Sequence, residues 1–202
     1  FGGSGLESQA FSDLKQNRLI IAQRLATSRG VPAGDVDADG FPKGFGKNNQ
    51  AVLIPAFLSA YSGADPNGVS MDAKRSFPLP NWSLQYTGLM RLKAFKKRFK
   101  RFAISHGYRA SHTLNAFATN LEYQPNNTDK SGNFLNKILY TNVNLVEQFN
   151  PLMKLDFELK NSIQLSAEVR KDRALSLSLD NNLLTETSGD EWIVGMGYRI
   201  KD

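Results

Sequence analysis

The residues suited to chemistry are few. Asp35, Asp37 and Asp39, followed by Gly40, match the first half of an EF-hand loop, where carboxylates at alternate positions converge on Ca²⁺. The twelfth position of that loop needs a bidentate Glu and holds Gly46, so the segment reads as a solvated loop. His106 and His112 are the only histidines, flanking an expected hairpin at Gly107 to Ser111. No carboxylate lies near them in sequence, and a solvated or lumen-facing position is the better reading. No serine stands in a G-x-S-x-G elbow, and neither a nucleotide loop nor a zinc motif is present. No catalytic residue, cofactor or metal site is assigned, and no enzyme is expected.

The strongest local signal is cationic. Arg91, Lys93, Lys96, Lys97, Arg98, Lys100 and Arg101 are interleaved with Leu92, Phe95, Phe99 and Phe102. Such a strip can bind nucleic acid, a protein partner or an anionic membrane face, where each cation contributes about 1 kcal/mol. Between two strands the simplest role is a turn whose long side chains reach into headgroups and anchor the hairpin at the interface. Nucleic acid is not the expected partner.

The elements around these residues divide the chain at Pro78-Leu79-Pro80, with residues 1–80 a helix-and-loop segment and 81–202 strands. Ser8 or Ser12 can cap a helix to about Ser28, with Phe11, Leu14, Ile21 and Leu25 as its stripe and Gly30 as its stop. Val31 to Asn49 reads as an extended loop, and Gln50 to Tyr61 as a second helix. From Asn81 the hydrophobic period becomes two, which predicts about seven strands in an antiparallel meander. They start near Trp82, Phe102, Thr113, Leu139, Met153, Ile163 and Trp192, with Pro125 to Asn133 a polar loop. One of them, Ile163 to Leu179, has apolar odd positions except Lys171 and Arg173, and about 17 residues at ~3.3 Å each span roughly 55 Å. Soluble strands are usually about 5 to 6 residues long, and about 9 to 11 suffice to cross a bilayer.

The chain has 202 residues, a formal charge of +6 and no cysteine, which excludes disulfides and thiolate metal sites. It lacks an apolar run long enough for a membrane helix. Phe1-Gly-Gly-Ser-Gly is neither a signal peptide nor a natural start, and the expectation is a fragment of a longer protein.

The alternation at 153–169 leaves two environments open. In a soluble sandwich the apolar face meets a second sheet. In a barrel wall it meets lipid, and the ionic face lines a wet lumen. On the second reading Met153, Leu155, Phe157, Leu159, Ile163, Leu165 and Val169 face lipid, while Lys154, Asp156, Glu158, Lys160, Gln164, Ser166, Glu168 and Arg170 face the lumen.

Long segments of the sequence resemble one family. DGFPKGFGKNNQAVLIPAFLSAYSG (39–63), FPLPNWSLQYTGL (77–89), FKKRFKRFAISHGYR (95–109), FNPLMKLDFELKN (149–161), RALSLSLDNNLLTE (173–186) and IVGMGYRIKD (193–202) are similar to the SprA/Sov family. These are outer-membrane translocons of the type IX secretion system in Bacteroidetes, cell-surface proteins linked in some members to gliding motility. The resemblance implies a few staves of a large transmembrane β-barrel that exports folded cargo, preceded by a helical insert or cap. It also implies a PorV-like shuttle protein, a periplasmic plug, cargo with a C-terminal secretion signal, and contact with outer-membrane lipid. The family carries the same Gly-rich texture after Asp39, which implies turn roles for Gly40, Gly44 and Gly46. The rival expectations are a soluble β-sandwich that binds an anionic ligand through residues 91–101, and a barrel of another outer-membrane transport system.

Overall fold

The computed structural model describes residues 9–73 and 79–200, so Ser8 and Pro78 lie outside it. The elements in chain order are α1 (Gln9–Arg29), α2 (Gln50–Ser62), β1 (Trp82–Tyr86), a 3-10 turn (Gly88–Arg91), α3 (Lys93–Arg98), β2 (Phe99–Thr119), β3 (Ile138–Leu159), β4 (Ile163–Ser178) and β5 (Leu183–Tyr198). The protein is mainly β: its five strands form one open antiparallel sheet in the order β1-β2-β3-β4-β5. No described helix is long and apolar enough to cross a membrane, which says nothing of strands.

Five strands stand where about seven were expected, because two expected pairs are continuous. β2 runs straight through the hairpin placed at Gly107 to Ser111. Gly107 is a close-approach residue, since a Cβ there would lie 2.7 Å from the Asn150 carbonyl oxygen. β3 likewise joins the strands expected near Leu139 and Met153, passing through Pro151. Beside that proline, which has no N–H to give, His106 Nδ1 donates to the Leu152 carbonyl at 2.7 Å. The histidine is therefore a strand residue that satisfies the ladder at an irregular point.

Two compact units are present, and they do not divide at residue 80. One comprises Phe1–Ser76, Leu114–Val143 and Leu177–Leu183; the other comprises Phe77–Thr113, Asn144–Ser176 and Leu184–Asp202. Parts of β2, β3 and β4 therefore belong to each.

In the first unit, α1 buries Leu14, Asn17, Ile21, Ala22 and Ala26, a helical spacing, while Phe11 and Leu25 of the expected stripe are half-buried. Ser12 lies inside the helix, so it is not the cap. The helix stops as expected at Gly30: Gly30 N donates to Thr27 O and Val31 N to Ala26 O, the paired bonds of a Schellman ending. α2 is capped by Asn49, whose side chain accepts from Ala51 N, and it is apolar on nearly every side. Asn17 donates across to Ser59 at 3.0 Å, so the polar groups between the helices satisfy each other.

Two loops of this unit share one design. Asp37 Oδ1 accepts from Asp39 N and Phe41 N, and Asp129 Oδ1 accepts from Ser131 N and Asn133 N. Each loop closes with a bridge, Val36 to Pro42 and Thr128 to Phe134. They are tied together by Gly46 N donating to Asn133 Oδ1 at 2.8 Å. The carboxylates of the EF-hand-like run are thus engaged separately: Asp37 holds its own turn, Asp35 pairs with Lys43, and Asp39 pairs with Lys47 at 2.8 Å.

Candidate functional site

The strands that run through the second unit, parts of which belong to the first, are long enough to present two distinct faces. β2, β3, β4 and β5 are 21, 22, 16 and 16 residues long, several times the ordinary ~5–6. Successive side chains point to opposite sides, so one strand pattern fixes two surfaces.

The ionic face is a connected network. Lys154 Nζ lies 3.4 Å from Glu168 Oε2 and 3.7 Å from Asp156 Oδ2. Glu168 also accepts from Arg170 Nε, and Arg170 reaches Glu191 of β5 at 3.2 Å. Lys100 of β2 holds Glu158 at 2.7 Å. Glu168 is only 8% exposed, so this carboxylate sits between two cations that compensate its lost hydration. A Cβ on Gly195 would meet Ser166 Oγ, and one on Gly197 would meet Gln164, which puts these two glycines of β5 on the ionic side. Alternation then sends Trp192, Val194, Met196 and Tyr198 to the other side.

That other side is apolar and largely bare. Trp192, Val194, Met196 and Tyr198 are 77%, 80%, 82% and 69% exposed. At the far edge Trp82, Leu84 and Tyr86 stand opposite Tyr108, His106 and Ile104 of β2, and all three are exposed. Between the edges, aromatic rings pack sideways: Phe102 on Phe157 at 5.9 Å, Phe99 on Phe157 at 5.4 Å, and Tyr108 on Phe149 at 4.9 Å. Along β4 the same side is half-buried at Ile163, Leu165 and Val169 and buried at Leu175 and Leu177. The exposed Lys171 and half-buried Arg173 mark the change, paired with Asp190 at 3.6 Å and Glu186 at 2.8 Å.

Of the residues expected to face lipid, Met153 is exposed and Leu155, Phe157, Leu159, Ile163, Leu165 and Val169 are half-buried. Of the expected lumen set, Lys154, Asp156, Glu158, Ser166 and Arg170 are half-buried, Glu168 is buried and Gln164 is exposed. Lys160 is exposed in the turn between β3 and β4, so it belongs to the strand end rather than to the ladder. The strip at 91–101 is not a simple turn. Arg91 ends the 3-10 turn, Lys93, Lys96, Lys97 and Arg98 lie on α3, and Lys100 and Arg101 open β2. His112 lies within β2, half-buried. Sequence reasoning did not single out the exposed row of β5, although its period of two was visible.

No group of three or more His, Asp or Glu side chains placed to hold a metal occurs among the described residues. The concave regions of the second unit are shallow and lie on the sheet itself. One is lined by Trp82, Ser83, Gly107, Tyr108 and Asn150, another by Arg101, Asp156, Glu158, Gln164 and Gly197. Neither brings a nucleophile, a base and an orienting group together. What the arrangement offers is two extended surfaces of opposite polarity on one layer. No protein-family model matches the chain, and no curated protein matches it.

Proposed function

We propose that the chain is a section of the wall of a large outer-membrane β-barrel that conducts protein to the cell surface, the type IX translocon that its sequence resembles. One observation carries the barrel-wall reading: very long strands in a single open layer, ionic and cross-linked on one face, apolar and exposed on the other. A soluble sandwich would need a second sheet over the apolar face, and the described strands all belong to one sheet. β1 and β5 are edge strands, which a closed barrel pairs with further staves. The protein-conducting role rests on the resemblance.

The mechanism is passage. Lys154, Asp156, Glu158, Glu168 and Arg170 line the aqueous side, where fixed and mutually paired charges give cargo a hydrated wall with no apolar surface to hold it. The apolar side is solvated by hydrocarbon chains. The PorV-like shuttle, the periplasmic plug and cargo carrying a C-terminal signal are partners on the same reading.

Trp82 and Trp192 are the chain's two tryptophans, and both lie on the apolar face. With Trp82→Phe isolating Trp192, its fluorescence in lipid vesicles should be quenched by brominated acyl chains and spared by aqueous iodide. Iodide quenching without bromine quenching rejects the wall reading.

A further inference from the structure

We infer that one end of the sheet is a docking surface for the phosphate headgroups of a lipid membrane. The inference rests on the barrel-wall reading and adds to it a ligand and a direction.

Three segments far apart in sequence meet there. β2 begins at that end with the 91–101 strip behind it, β3 turns into β4 through Lys160 and Asn161, and β5 ends before Arg199. Backbone bonds tie them together: Lys160 N donates to Arg98 O, and Arg199 N donates to Ser162 O. The topology therefore adds Lys160 and Arg199 to a strip that has no acidic residue between Gly88 and Arg101. All of these cations are exposed. Lys100 is bonded to Glu158, and the others make no ion pair among the described residues. Along β4 the cations are matched: Arg170 with Glu168 and Glu191, Lys171 with Asp190, Arg173 with Glu186. The exposed cations gathered at one end outnumber the Glu158 carboxylate that Lys100, Arg101 and Arg199 face, which leaves that end complementary to an anionic surface.

The neighbouring chemistry selects a lipid surface over a nucleic acid. Phe95, Phe99, Phe102 and Phe157 pack against one another at 5.1–5.9 Å, mostly edge to face, so their rings are engaged with each other rather than held as a row of platforms for bases. The cations also border Tyr198 and Ile200, which are 69% and 79% exposed. A charged rim continuous with an apolar band fits the boundary between headgroups and acyl chains.

The test is partition of the full chain between buffer and vesicles of phosphatidylcholine, with and without phosphatidylglycerol. Phosphatidylglycerol should raise partition strongly and salt should reverse the gain. The variant Lys96→Gln/Lys97→Gln/Lys160→Gln/Arg199→Gln should lose that gain by roughly several hundredfold, at about fivefold per cation. Lys130→Gln/Lys137→Gln, exposed in the other unit, should keep it. Several results would overturn the inference: equal uptake by both vesicles, equal loss in the two variants, displacement by free inorganic phosphate, or stronger capture by an acidic peptide or by RNA. Equal uptake leaves the barrel wall standing, whereas a chain that ignores neutral vesicles yet keeps its preference for phosphatidylglycerol counts against the wall alone.

Discussion

In one unit the helices α1 and α2 bury most of their apolar residues, and in the other the edge strands β1 and β5 display theirs. Phe57, Ile21 and Val52 are wholly buried, while Val194 and Met196 keep about four-fifths of their surface exposed. Both units obey the same local rules, since each helix or strand segregates apolar from polar residues with its own period. They differ in whether a second layer exists. Two helices cover each other and satisfy the polar groups between them, as Asn17 and Ser59 do. The described strands form one sheet with no second sheet over it, so its apolar side stays exposed at the edge strands, while Leu175 and Leu177 on that side are buried.

The contrast can be broken by truncation. Phe57→Ala should destabilise the chain by about 3–5 kcal/mol, because it opens a cavity in a closed core. Met196→Ala, measured in the same denaturant titration in detergent, should stay within about 0.5 kcal/mol. Comparable losses at the two positions would mean that the β5 face is packed against protein.

A charge placed on each face sharpens the comparison within the sheet. Leu165→Arg should cost about 2–4 kcal/mol in a bilayer if that side meets hydrocarbon. Gln164→Arg, its neighbour on the ionic side, should cost far less, and folding yield into vesicles reads the difference. An inverted order would exchange the assignments of lumen and lipid.

Glu168→Gln keeps the shape and removes the charge between Lys154 and Arg170. Loss of these charge-assisted bonds should cost about 1.5–3 kcal/mol, seen as a lower denaturation midpoint. Lys47→Gln, which breaks an exposed pair with Asp39, should change stability by less than about 1 kcal/mol. An effect at Lys47 as large as that at Glu168 would remove the distinction between an embedded network and a solvated one.

Much of the fold was legible residue by residue. The stop at Gly30, the start of α2 after Asn49, and the turn at Asn161 and Ser162 all follow from local chemistry. The length of the strand from Ile163 was visible too, because its alternation is interrupted only at Lys171 and Arg173. The errors share a cause. Gly107 and Pro151 are turn formers by type, but both lie inside strands, where the neighbouring strand settles their role. His106 could not be read as a partner of the Leu152 carbonyl, since that contact joins residues 46 apart. The kinship of the loops at Asp37 and Asp129 was hidden for another reason: their hydrogen bonds match more closely than their sequences.

By itself, the sequence determined which side chains share a face, because strand periodicity is set within each residue's own backbone. Only the tertiary structure decided how many strands there are, which ions meet, and that Lys160 and Arg199 join the 91–101 strip. Those outcomes depend on pairing between distant segments, whose register is a balance of many weak contacts that no single stretch of chain encodes.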